Sequence, residues 1–66
     1  MKYFRCLKSS MHVGMIYITN DEMTKGYWAS APKDWLEHKL ADKHRKALLS
    51  DRYEKCEEKD AFIESL

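Results

Sequence analysis

Glycine and proline are nearly missing from this chain, with Gly14, Gly26 and Pro32 the three such residues among 66. That excludes a glycine-rich phosphate loop, and neither G-x-S-x-G nor H-E-x-x-H occurs. Cysteine is scarce too. Cys6 and Cys56 stand fifty residues apart, a usage that fits a reduced cytosolic chain better than a disulfide scaffold. No apolar run approaches the roughly 20 residues of a membrane helix. The N-terminal segment lacks the apolar core and small-residue cleavage site of a signal peptide. The expected setting is therefore cytoplasmic.

Charge of one sign is also lacking. Twelve Lys and Arg face eleven Asp and Glu, for a net charge of +1. Residues 1–32 and 33–52 each carry +2, and residues 53–66 carry −3. A domain that lives on phosphate contacts is normally clearly basic, so the total shows no nucleic-acid signature.

What the chain does have is aromatic residues: Tyr3, Phe4, Tyr17, Tyr27, Trp28, Trp35, Tyr53 and Phe62. A chain this short buries only about 60% of the surface its unfolded form exposes. Rings that each bury a large apolar area supply a small core, and they also serve as anchors at interfaces.

The first thirty residues read as strands. "KYFRCLK" (Lys2–Lys8), "MIYIT" (Met15–Thr19) and "GYWAS" (Gly26–Ser30) are rich in aromatic and β-branched residues and bounded by polar turns. Links this short make antiparallel neighbours, not parallel crossovers. A three-stranded antiparallel meander over residues 1–30 follows. Beyond it, Ser30 is a candidate N-cap and Pro32 suits a first helical turn. Ala, Leu, Glu and Lys then dominate to Leu66. The expected architecture is one small α+β domain, 1–66, with the meander followed by a helical segment over 31–66.

Whether that segment is one helix or two is open. At 100° per residue, Leu36, Leu40 and Ala47 form one stripe, with His44 beside it. Tyr53, Cys56 and Ile63 form another, about 160° away. Either the helix breaks near Ser50-Asp51, where Asp51 and Glu54 have the spacing of a capping box, or it runs on and offers its distal half to another chain.

Chemistry-bearing constellations are weak. Structural zinc sites take closely spaced ligand pairs, whereas the cysteines are isolated and His38 and His44 lie about 120° apart on a helix. No metal, cofactor or catalytic residue is assigned. Carboxylates sit among lysines at spacings typical of solvated i,i+4 pairs, such as Glu54 and Glu58 near Lys55 and Lys59. The chain reads as a non-enzyme. One basic cluster, "HKLADKHRK" (His38–Lys46), carries Lys39, Lys43, Arg45 and Lys46 against Asp42. It reads first as a solvated helix face near a C-terminus, and as the alternative, a nucleic-acid grip.

Cys6-Leu7-Lys8-Ser9, Gly14-Met15-Ile16-Tyr17 and Pro32-Lys33-Asp34-Trp35-Leu36 together resemble a pattern, C-[IL]-K-S, G-x-[IV]-Y, P-x-[DE]-[WF], of a loose group of small bacteriophage-encoded proteins. The resemblance covers about half of the chain. It implies a small β-meander or SH3-like module and carries over no functional residue. The leading expectation is a non-enzymatic interaction module of phage type that binds, and in one version inhibits, a host protein. Its expected partner surface comprises Tyr53, Cys56, Phe62 and Ile63, then Trp28 and Trp35. Partners are a host or phage protein, or a second copy through the C-terminal helix.

Overall fold

The computed structural model describes residues 1–8, 11–30 and 38–64. Among them, five strands form one antiparallel sheet: β1 (Lys2–Cys6), β2 (Ile16–Thr19), β3 (Lys25–Trp28), β4 (His38–Lys39) and β5 (Tyr53–Cys56). Their order across the sheet is β4-β3-β2-β1-β5. Two helices accompany them, α1 (Asp42–Leu48) and α2 (Glu58–Glu64). The α+β class and the meander of the first three strands agree with the sequence reading, with strand ends shifted by one or two residues.

The sheet is organised around β2, all four of whose residues are buried. Side chains alternate between the faces of a strand, so both faces here need a cover. Tyr17 joins Phe4, Met23 and Leu48 on one face, with Trp28, Leu40 and Tyr53 packed around them. Ile16 and Ile18 join Ala29 and Ala61 on the other, flanked by Tyr3, Tyr27 and Cys56. Leu48 belongs to α1 and Ala61 to α2, so each helix covers one face. Thr19, the buried polar member of β2, satisfies its hydroxyl by donating to the Asn20 carbonyl at 3.0 Å.

The β2–β3 turn is built by Asn20. Its Oδ1 accepts the backbone N–H groups of Thr24 and Lys25 at 2.9 and 3.2 Å, and its Nδ2 donates to the Thr24 hydroxyl at 2.8 Å. Met23 takes a positive φ of 56° in this turn while its side chain is buried in the core. An αL conformation is unfavourable for such a residue, and burial of the thioether chain offsets it.

The helical reading of residues 31–66 is corrected at two places. His38–Lys39, expected within a helix, forms β4, and Leu40 donates its N–H to the Thr24 carbonyl at 2.9 Å. The proposed N-terminus around Pro32 lies outside the described residues. The chain does break at Ser50-Asp51, yet a strand follows instead of a second helix. Ser50 makes the break: its hydroxyl donates to the Ala47 carbonyl at 2.6 Å and accepts the Arg52 N–H at 3.2 Å.

Pairing explains why Tyr53–Cys56 is a strand despite helix-favouring Glu54 and Lys55. β5 aligns with β1 in the register Tyr3↔Cys56 to Cys6↔Tyr53, and the ladder continues as Leu7 donates to the Arg52 carbonyl at 2.7 Å. It therefore pairs the outer edge of β1, each ladder bond being worth about 1 kcal/mol. Arg5 adds an ion pair to its cross-strand neighbour Glu54 at 3.7 Å and another to Asp60 at 4.0 Å. Helix α2 then starts after Glu57, whose N–H donates to the Asp60 carboxylate at 3.0 Å. This is the reach-back half of a capping box, six residues later than the Asp51–Glu54 spacing suggested.

Gly26 is fixed by packing. A Cβ placed there would lie 2.4 Å from Cε2 of Tyr17 and 2.7 Å from the Ile18 carbonyl oxygen. Tyr17 is itself clamped in the core, so the clash has no cheap relief. Gly26→Ala is expected to destabilise the fold by about 2 kcal/mol, read as a lower midpoint in urea unfolding with an unchanged slope.

Candidate functional site

His44 and Ala47 of α1 turn toward the sheet, with Leu40 just before the helix, and Leu36, the other member of the expected helical stripe, lies outside the described residues. Leu40, His44, Ala47 and Leu48 stand over the sheet but do not close onto it. Between them and the strands lies an open cleft of about 440 Å³. Its aromatic lining comes from Tyr17 of β2, Trp28 of β3 and Tyr53 of β5, and its rim carries His38 and Lys39 of β4. The volume lies in the range of small-ligand pockets, roughly 300–1,000 Å³.

The rings are held firmly. Trp28 meets Tyr17 edge-to-face, with centroids 4.9 Å apart and planes at 76°. His12, from the β1–β2 connection, stacks on Trp28 at 4.4 Å with planes 9° apart. One face of the indole is therefore already occupied. Burial raises the Tyr17 phenol above its ordinary pKa, with the nearby Tyr53 adding to the effect. Burial likewise raises Tyr53, helped by the charge of and a hydrogen bond to Cys6, against the opposing pull of Arg52. Both phenols are thus held neutral at physiological pH.

Helix α1 is latched through Arg45. The Arg45 guanidinium donates to the carbonyls of Met23 at 3.2 Å and Leu40 at 2.8 Å, and pairs with Asp42. At the N-terminus, Ala41 lacks a side-chain acceptor, and His44 supplies one by accepting the Ala41 N–H on Nδ1 at 3.2 Å.

The expected partner-binding residues do not form one surface. Tyr53 and Cys56 lie on β5, not on a helix, and both are half-buried against the chain's own cores. Phe62 and Ile63 do face outward from α2, 65% and 66% exposed. Trp28 is in the cleft, and Trp35 lies outside the described residues. Their separation has a simple cause: strand alternation sends Tyr53 and Cys56 to opposite faces of the sheet, whereas a helix would have joined them.

The basic cluster is divided as well. Lys39 is at the cleft rim, Lys43 and Lys46 are exposed on α1, and Arg45 is consumed by the latch. Tyr17 and the pairing of His12 with Trp28 escaped the sequence reading. Only strand register and the β1–β2 turn bring them together, and no spacing along the chain encodes either.

Cys6 and Cys56 are free thiols and, by the β1–β5 register, face opposite sides of the sheet. Burial raises the Cys56 pKa, with Asp60, Glu54 and Glu57 adding to it and Arg5 opposing, which disfavours the thiolate a nucleophile needs. Among the described residues, no three His, Cys, Asp or Glu side chains converge as metal ligands, and no helix is long and apolar enough to cross a membrane. No protein-family model, curated protein or solved structure matches the chain.

Two expectations follow. Arg45→Ala should lower stability by about 1–2 kcal/mol, because two buried-side carbonyls lose a charged donor, whereas Lys43→Ala and Lys46→Ala should stay within about 0.5 kcal/mol. Denaturant unfolding of the three variants tests this. In a spectrophotometric pH titration, Tyr17 and Tyr53 should ionise above the ordinary value of about 10. Their pKa values are raised in the fold, so this contribution to stability is complete below the unfolded value. It is lost as pH climbs through the folded one. Tyr17→Phe and Tyr53→Phe should each remove phenolate absorbance from the high-pH end of the curve.

Proposed function

We propose that this chain is a non-enzymatic interaction module whose contact site is the aromatic cleft beneath α1, with a partner protein as its ligand. The observation carrying this reading is that three aromatic side chains line an open space that the core of the described residues does not fill. Aromatic residues in a partly desolvated pocket are the usual energetic centre of a protein interface. Phe62 and Ile63 on α2 form a second, smaller apolar patch on the opposite side of the sheet. Following the resemblance to small phage-encoded proteins, the partner is a host protein whose activity is altered by the contact.

Nucleic-acid binding is less well supported. Its strongest cation, Arg45, is engaged with main-chain carbonyls, and Trp28 already carries a stacked ring. Lys39, Lys43 and Lys46 remain exposed, so a steep fall of any affinity with salt is the signature to look for.

The test is capture from a bacterial lysate with three baits: the natural chain, Ala47→Arg, and the double variant Phe62→Asp, Ile63→Asp. Ala47 lines the cleft and is partly exposed on α1, so an arginine there obstructs the site without entering the core. A protein retained by the natural chain and the α2 variant, and lost with Ala47→Arg, is the expected result. Retention by Ala47→Arg together with loss on the α2 variant would move the site to α2 and refute the cleft.

A further inference from the structure

Among the described residues lining the cleft, the one formally charged side chain is a cation, Lys39. Among the described residues the cleft's ionisable rim groups are Lys39 and the two histidines His38 and His44, and no Asp or Glu lines it. Lys43 and Lys46 extend the same sign along exposed α1.

The size and lining of the cleft set the other half of the ligand. About 440 Å³ is far too little for a helix or a strand, and is ample for one large side chain. Tyr17 and Trp28 already meet edge-to-face, and a further ring entering the cleft can repeat that geometry with the Tyr53 phenol. Leu40, Ala47 and Leu48 supply an aliphatic wall.

Building on the reading of the chain as an interaction module, we infer that the cleft receives one aromatic side chain of an acidic peptide segment, whose flanking carboxylates pair with Lys39, Lys43 and Lys46. The occupant is a protein segment and not a nucleic-acid strand, for two reasons. A base stacks on an open aromatic plane, and one face of the Trp28 plane is already taken by His12. A phosphate is best held by a guanidinium fork, and that of Arg45 is spent on Met23 and Leu40.

The test is two-dimensional amide NMR of the intact chain, titrated with capped pentapeptides. Asp-Glu-Phe-Glu-Asp should shift the signals of Trp28, Ala47 and Tyr53 saturably. It should bind about tenfold more tightly than Asp-Glu-Ala-Glu-Asp, which lacks the anchor, or Lys-Lys-Phe-Lys-Lys, which reverses the charge. Raising the salt should weaken it. The double variant Lys39→Glu, Lys43→Glu, both at exposed positions, should invert the preference between the two Phe peptides while leaving the spectrum of the free protein folded.

Equal binding of the two Phe peptides in the cleft would overturn the acidic partner while leaving the interaction module standing. Failure of every Phe peptide to perturb the cleft would overturn both. A thymidine oligomer that shifts the same signals more tightly than the acidic peptide would overturn the choice of a protein ligand.

Discussion

Complete burial of β2 is the constraint on which the rest of this structure depends. A strand covered on both faces requires a layer on each side, and 66 residues leave little chain to make them. The solution is two helices of seven residues each, one per face. Each contributes one buried residue, Leu48 from α1 and Ala61 from α2. The run "IYIT" shows why no economy was open: its residues other than Thr19 are large and apolar, and turning either face to water would expose isoleucines or a tyrosine. Burying each such side chain is worth about 1.5–3 kcal/mol, which in a domain of this size is a substantial part of total stability.

The cleft follows from the same constraint. β4 and β5 lie at opposite edges of the sheet, so the chain between them must traverse a width of about 19 Å at normal strand spacing. Seven helical residues span about 10 Å. Helix α1 therefore crosses the face without covering it, and the remainder is left between the helix and the aromatic side of the sheet. Arg45 fixes where the helix comes to rest by tying it to the β2–β3 turn through the Met23 carbonyl. The positive φ of Met23 belongs to this arrangement, since it turns the side chain into the core and leaves the carbonyl to receive the guanidinium.

The meander was legible because β1 to β3 are encoded locally, with β-branched and aromatic runs separated by polar turns. The inward side of α1 was legible in part: His44 and Ala47 share it as their helical phase implies, whereas Leu40 precedes the helix. What failed was the assignment of His38–Lys39 and Tyr53–Cys56. Both edge strands are short, carry charged residues on their exposed positions, and would pass as helix on propensity alone. Edge strands are commonly of this kind, because charge and brevity discourage pairing with other molecules. Their conformation is set by what β3 and β1 need at their open edges, a demand that propensity at those positions does not record. The phase conflict at Ser50 was nevertheless a true signal. Residues on either side of it could not share one helix, and the resolution was a change of structure type rather than a change of partner.

That resolution shifts the functional argument from the C-terminal helix to the sheet. Tyr53 and Cys56 suggested an interface because a continuous helix left them without a core, and in the strand they have one each. The unfilled apolar surface is instead beside Trp28 and Tyr17, where Ala47 is the small residue in a wall otherwise made of Leu40, Leu48 and His44. A larger aliphatic residue at that position would fill part of the space, at no cost in helix propensity for leucine beyond a few tenths of a kcal/mol. A chain with so little core keeps open a volume that one substitution could reduce, next to rings that would gain from being covered. The stabilisation still available there is the physical basis of the proposal that an aromatic side chain of a partner enters the cleft.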